Sequence, residues 1–68
     1  MTLTFKKFGD LYRAGYFDHV VEIFYFTNAF CWVWQVKKDG KIIEGGDSKT
    51  LLESKSLGSE AFFRTRRA

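Results

Sequence analysis

Cys31 and His19 are the side chains in this sequence that could form a pair of nucleophile and base. A cysteine becomes reactive when a neighbouring base or positive charge favours its thiolate. The strand register argued below points these two side chains to opposite faces of one sheet, so no such pair is predicted. We interpret Cys31 as a small apolar strand residue and His19 as a surface or half-buried residue at a strand end.

Glu22 and Glu44 could flank Gln35 on one face of the sheet and act as a general acid and base. Paired carboxylates do this when a dry cleft separates their pKa values, and the sequence predicts no such cleft. A closed zinc site needs about four ligands, which a single cysteine and a single histidine do not supply. We therefore expect no enzyme, no cofactor and no metal.

The segment from Gly45 to Lys49 lies where a strand would pass into a helix, as a phosphate-binding loop does. Glycines beside a helix N-terminus expose amide donors, but the segment has neither the Walker spacing nor the dinucleotide-binding spacing. Asp47 would also repel a phosphate. The glycines are interpreted as a tight exit from the strand, with Asp47 or Ser48 as the helix N-cap.

A chain of 68 residues has room for one domain, which we assign to residues 1–68. A core of this size supplies only ~3 to 5 kcal/mol, and small proteins commonly add disulfides, a metal or oligomerisation. One cysteine forms no intramolecular disulfide, so eight Phe, three Tyr and two Trp must supply the burial. A homodimer remains an alternative source of stability.

The lone cysteine, the start at Met1 and the lack of a leader-like segment predict a reducing cytoplasm. The apolar run from Val20 to Val36 is shorter than the roughly 20 residues of a membrane-spanning helix. Polar residues such as Glu22 interrupt it, so no membrane partner is expected.

The net charge of +3 lies in a basic C-terminal tail, residues 64–68. The rest of the chain carries equal numbers of acidic and basic residues. The basic character therefore describes the tail and not the whole surface.

Phe30–Val36 is predicted to be the central strand, because it concentrates aromatic and β-branched residues. A first strand runs from Tyr16 or Phe17 to Phe26, and Thr27-Asn28 forms the turn between them. A two-residue loop pairs Phe24 with Cys31, whereas a three-residue loop slides the strand by one residue and reverses its faces.

Glu22 decides between these registers, since the three-residue loop would bury its carboxylate at a cost of several kcal/mol. The two-residue register divides the sheet into two surfaces. The Trp face, which is the predicted core, carries Val21, Ile23, Tyr25, Phe30, Trp32, Trp34, Val36 and Ile43. The outward face carries Glu22, Gln35, Lys37 and Glu44 beside its apolar residues.

Asp39-Gly40 is a strong signal for a type I′ turn that begins a second hairpin. The turn pairs Val36 with Ile43 and Gln35 with Glu44.

Residues 4–14 are predicted to be helical, because Phe5 and Phe8 begin an apolar series with steps of three and four. Thr4 would be the N-cap, and Gly15 would end the helix. In an alternative, Thr2 to Phe5 forms an edge strand and only residues 8–14 are helical.

A second helix follows Asp47 or Ser48, with Leu51 and Leu52 at helical spacing. Gly58-Ser59 is predicted to break it before a last turn that carries Phe62 and Phe63. The expected fold is α+β, a three-stranded antiparallel meander with both helices on the Trp face, in the order αβββα.

This order and the junction Gly46-Asp47-Ser48-Lys49 resemble the third strand and second helix start of double-stranded-RNA-binding domains, over about half the chain. The family's further basic residues are absent at the helix start, where Thr50 and Glu53 stand instead. The resemblance implies a shared topology and no function.

The outward face is predicted to be too apolar for a surface that only contacts water. Its protein-interaction residues are Phe24, Phe26, Cys31, Val33 and Ile42, with Ala29 beside them. The leading hypothesis is a non-enzymatic interaction module that docks on a protein, as an adaptor or inhibitor of a larger machine. In the alternative for this face, the N-terminal segment folds over it as a second layer.

Nucleic-acid binding is the alternative function, through phosphate contacts of basic side chains. The candidate residues are Lys37, Lys38, Lys41, Arg64, Arg66 and Arg67. Cations at a helix C-terminus also complement the helix dipole and aid solubility without any ligand.

Overall fold

The chain forms a five-stranded sheet with one helix, which differs from the predicted fold. A computed structural model describes residues 2–67, with the backbone alone for Arg67. The elements in this range are β1 (Lys6–Phe8), β2 (Leu11–Tyr16), β3 (His19–Phe26), β4 (Cys31–Lys38), β5 (Lys41–Ser48) and α1 (Leu51–Arg67). The predicted αβββα order is therefore wrong, and the topology shared with double-stranded-RNA-binding domains is wrong with it.

The five strands form an antiparallel meander in which every strand pairs with its neighbours in sequence. Each connection between strands is a short turn, so the order in the sheet repeats the order in the chain. The helix α1 packs on β3, β4 and β5.

The predicted N-terminal helix is replaced by the hairpin β1–β2, and both helical interpretations of residues 4–14 are wrong. Phe8 pairs with Leu11 across a turn in which Gly9 has a φ of 63°. Glycine adopts this left-handed conformation without steric cost, so Gly9 begins the turn instead of weakening a helix. The segment before β1 does not pair as the alternative edge strand.

The β3–β4 connection has four residues, not the predicted two. Within it, the amide of Ala29 donates to the Phe26 carbonyl at 3.2 Å, and Phe30 has a φ of 52°. Phe24 consequently pairs with Val33, two residues away from the predicted partner Cys31. A shift of two residues leaves side chains on their original faces, so the predicted faces of β3 and β4 are confirmed.

The Asp39-Gly40 turn between β4 and β5 is confirmed. Both residues have positive φ, 53° and 78°, as a type I′ turn requires. Beyond the turn, the register shifts at a bulge, and Val36 pairs with Glu44 instead of Ile43. The predicted pairs in this hairpin are therefore wrong, because one extra residue in β5 reverses its faces from Glu44 onward.

The helix α1 begins after Thr50, whose hydroxyl accepts from the Glu53 amide at 3.1 Å. The Glu53 carboxylate accepts in turn from the Lys49 amide at 3.4 Å, which completes a form of the capping box. Asp47 and Ser48 are therefore not the N-cap. The helix also continues through Gly58 without the predicted break.

The core lies between the Trp face and α1. Val21, Ile23 and Val36 are fully buried there, together with Phe62 from the helix. Burying a side chain of the size of Phe62 stabilises the fold by about 1.5 to 3 kcal/mol. The N-terminal segment packs on the same side, where Leu3 donates its amide to the Ser59 hydroxyl at 3.0 Å. It therefore does not cover the outward face, and that alternative is wrong.

Candidate protein-docking surface

The outward face is the side of the sheet that α1 leaves uncovered. Residues paired across neighbouring strands share a face, so the register places its members directly. One row joins Phe8, Leu11, Phe24 and Val33 across β1 to β4. A second pair, Phe26 and Cys31, extends this row towards the β3–β4 turn. The apolar residues thus form one continuous surface.

The predicted interaction residues differ in how far they reach solvent. Phe24, Cys31 and Val33 are half-buried among their neighbours on the face. Phe26 and Ile42 are exposed, and Ile42 lies apart from the others, opposite Lys37 near the Asp39-Gly40 turn. Ala29 and Phe30 lie in the β3–β4 turn, so neither belongs to the faces predicted for them.

Charged side chains form the adjoining part of the outward face. The Glu22 carboxylate lies 2.7 Å from the Lys37 ammonium and 3.6 Å from the Arg13 guanidinium. Glu22 is thus paired with two cations. This agrees with the register argument, which required that its carboxylate not be buried alone. Glu44 lies on the Trp face and forms an ion pair with Arg64, so the two glutamates do not form a carboxylate pair.

A shallow depression of about 360 Å³ lies on the outward face between β1 and β3. Its lining residues are Thr4, Lys6, Phe8, Arg13, Ala14, Gly15, Phe17 and Val20. Phe17 stands at its rim in the two-residue turn between β2 and β3, with 99% of its surface exposed and a φ of 48°. Sequence reasoning missed this residue because Phe17 was assigned to the start of a strand. The adjacent Asp18, between two runs of apolar residues, was the available signal for a turn.

The basic residues proposed for nucleic acid fall into two groups. Lys37 and Arg64 form ion pairs with Glu22 and Glu44. The other three described side chains, Lys38, Lys41 and Arg66, lie at the end of the sheet that carries the Asp39-Gly40 turn. Arg67 belongs to the same prediction, and its side chain lies outside the described part of the chain.

Arg66 stacks over the exposed Tyr16 ring, with 4.9 Å between the guanidinium carbon and the ring centroid. Asp18 and Asp39 stand at the same end, where the Asp39 amide donates to the Asp18 carbonyl at 2.8 Å. A side-chain hydrogen bond with Asp18 and the charge of Asp18 raise the pKa of Asp39. These carboxylates oppose phosphate binding at this end.

His19 lies on the Trp face, and Cys31 lies on the outward face, as the sequence predicts. The His19 ring is buried, so its prediction as a surface or half-buried residue is wrong, and it stacks on Phe62 with 4.2 Å between centroids. The Thr65 hydroxyl donates to the Ala61 carbonyl at 2.8 Å, so it accepts from the His19 Nε2 at 3.0 Å. These contacts hold the imidazole against the helix. Cys31 lies on the other face of the sheet, so the imidazole and the thiol do not form a pair.

Burial lowers the pKa of His19, and the nearby charges of Lys38 and Arg66 lower it further, against the opposing charge of Asp18. The imidazole therefore favours its neutral form more strongly than a solvated histidine does.

Among residues 2–67, no three His, Cys, Asp or Glu side chains come together as a metal site would require. In the same range, no helix has the length and apolar character needed to span a membrane. The chain matches no protein-family model, no curated protein and no solved structure at a significant level.

Proposed function

We propose that this chain is a non-enzymatic interaction module that docks on a protein through its outward face. The observation that carries the proposal is the uncovered apolar row of Phe8, Leu11, Phe24 and Val33. A contiguous apolar patch on a small protein is typical of a partner site, because its exposure to water is unfavourable.

The arrangement of charges on this face supports a specific partner. The apolar row adjoins the Arg13–Glu22–Lys37 cluster, so one side of the surface is apolar and the other is polar. Protein interfaces commonly combine an apolar centre with a polar rim in this way. A binder of this size without a catalytic cleft fits an adaptor or inhibitor of a larger assembly.

Phe24 is the residue to test, because aromatic side chains at the centre of an interface commonly contribute ~2 kcal/mol or more. We compare the native chain, Phe24→Lys and Leu52→Lys as baits in a pull-down from the native cell extract, with and without nuclease. Leu52 is the matched control, since it is an exposed apolar residue on the helix, away from the outward face.

The proposal predicts a protein that the native chain and Leu52→Lys retain after nuclease treatment and that Phe24→Lys does not retain. A thermal melt tests whether Phe24→Lys is folded. Retention of the same partner by folded Phe24→Lys would contradict the proposal, and loss of every partner on nuclease treatment would favour the nucleic-acid alternative.

A further inference from the structure

Phe17 combines two unfavourable features. It is a bulky residue in the left-handed region, where a side chain other than glycine costs about 1 to 2 kcal/mol. It is also almost completely exposed at the tip of the β2–β3 hairpin. Strain of this kind is frequent at positions that serve binding. Phe30 is strained and exposed as well, and Phe17 differs from it in standing beside a depression of the outward face.

The depression beside Phe17 is lined by polar and apolar groups together, with Thr4, Lys6 and Arg13 beside its apolar residues. Phe8 and Val20 are the apolar residues of this lining that an entering ring could contact. Its volume of about 360 Å³ is at the small end of ligand-sized pockets and is sufficient for one side chain. Because Phe8 pairs with Leu11, the depression continues into the apolar row of the outward face.

A projecting ring next to a receiving depression is self-complementary. In an isologous dimer, a two-fold rotation places residue i of one copy against residue j of the other and the reverse. We propose that two copies of this chain pair through their outward faces, with Phe17 of each copy entering the depression of the other. The inference rests on the proposed function, because it names the partner of the outward face as a second copy.

The charges around these two features complement one another in the same exchange. Asp18 follows Phe17 at the tip, whereas Lys6 borders the depression together with Arg13, which also pairs with Glu22. Entry of Phe17 into the opposite depression brings Asp18 towards the Lys6 and Arg13 of the second copy. Opposite charges at matching positions fix the register of an interface and disfavour wrong partners.

The size of the face approaches that of a standard dimer interface. Five strands about 4.8 Å apart, with eight residues of about 3.4 Å in the longest, give a projected area of roughly 500 Å². Side-chain relief adds to this area, and a standard interface buries about 800 Å² per partner. Pairing would also compensate for the small core of a 68-residue chain.

Phe17→Asn and Phe30→Asn form a matched pair of variants. Phe30 is 80% exposed and also has a positive φ, but it lies in the β3–β4 turn at the opposite end of β3. Asparagine tolerates the left-handed conformation, so both changes preserve the turns. Sedimentation equilibrium on the native chain and both variants, from micromolar to millimolar concentration, measures the dimer directly.

We expect the native chain and Phe30→Asn to dimerise equally and the dissociation constant of Phe17→Asn to rise at least ~30-fold. Lys6→Glu should weaken the dimer, and adding Asp18→Lys to Lys6→Glu should restore it. A native chain that is monomeric at millimolar concentration would overturn the inference, as would equal losses in Phe17→Asn and Phe30→Asn. Failure of the double variant to recover would overturn the charge pairing.

A photoreactive phenylalanine analogue at position 17 in cells separates this inference from the proposed function. Crosslinks from position 17 to Phe8 or Val20 of a second copy support the dimer. Crosslinks only to a different protein overturn the dimer and leave protein docking intact. If folded Phe24→Lys also keeps every partner in the pull-down, the proposed function fails as well.

Discussion

Gly58, in the middle of α1, lies directly against Val21 of β3. A Cβ atom on Gly58 would come within 2.7 Å of the Val21 Cγ1, which is closer than non-bonded carbons approach. Val21 is fully buried, so it has no free space into which it could move. The absence of a side chain at Gly58 therefore sets how closely the helix approaches the sheet.

Gly58→Ala should destabilise the protein although alanine is the better helix former. Helix propensity favours alanine by about 1 kcal/mol, but overpacking a core commonly costs about 1 to 3 kcal/mol. The free energy of unfolding, measured by urea denaturation, should therefore fall. Ser56→Ala, at an exposed position of the same helix, is the control and should be neutral or slightly stabilising. A more stable Gly58→Ala would show that Val21 does not constrain the helix.

Gly58 also illustrates where the sequence is ambiguous. A glycine inside a helical pattern indicates an end of the helix as readily as a close tertiary contact. The contact with Val21 joins segments far apart in the chain, so local pattern alone does not predict it. The predicted break was wrong for this reason.

The N-terminal hairpin was missed because apolar steps of three and four over a few residues are compatible with more than one structure. Phe8 and Leu11 are three residues apart, as on one helical face, yet they are directly opposed across the turn at Gly9. Phe5 packs on the core from outside the sheet, and Tyr12 points to the Trp face. Short apolar patterns do not distinguish these cases.

The faces of β3 and β4 were predictable because burying the Glu22 carboxylate is costly whatever the length of the turn between these strands. Placing Glu22 on the outward face fixed the alternation of both strands, although the register itself was wrong by two residues. The bulge after Val36 moved Glu44 to the other face. Gly45 and Gly46 lie inside β5, where glycines can indicate a bulge, so their interpretation as an exit from the strand was wrong. The candidate surface around Phe24 was therefore predictable. Phe17 lies in the β2–β3 turn, and the depression beside it needs the hairpin β1–β2, and neither of these elements was predicted.

Gly40→Val should lower the free energy of unfolding by more than ~1 kcal/mol, because a β-branched residue resists a positive φ. Gly40 has a φ of 78°, and no atom lies within 4 Å of the position that its Cβ would occupy. The loss of unfolding free energy in Gly40→Val would therefore come from backbone strain and not from a steric clash. Lys41→Val, at the next position and within β5, is the control and should be nearly neutral. An unchanged urea midpoint in Gly40→Val would contradict the type I′ turn.

Arg66 and Arg64 provide a test of the nucleic-acid alternative. Arg64 is paired with Glu44, whereas Arg66 stacks on Tyr16 beside Lys38. If the alternative holds, Arg66→Gln should weaken binding of a single- or double-stranded probe and reduce its salt dependence, and Arg64→Gln should have a smaller effect. Fluorescence anisotropy at several salt concentrations measures both. No binding by the native chain at low salt would remove the alternative.

His19 should make stability depend on pH in the mildly acidic range. The pKa of His19 in the folded protein lies below 6.5, the value of a solvated histidine, because of burial and the charges of Lys38 and Arg66, with Asp18 opposing them. The unfolded chain therefore binds more protons than the folded chain once the pH falls below about 6.5. The contribution of His19 to the free energy of unfolding is fully present above that pH. It is lost as the pH falls through the lowered pKa of His19 in the folded state.

Urea denaturation on either side of this window should show a lower free energy of unfolding at the acidic pH. His19→Gln is the control, since its amide can still donate to Thr65 and does not titrate. This variant should lose part of the pH dependence. An NMR titration that places the pKa of His19 at or above 6.5 would contradict the prediction, as would equal pH dependence in the variant and the native chain. Arg66→Gln should raise the pKa of His19 in the same titration, because it removes one of the cations that disfavour the protonated ring.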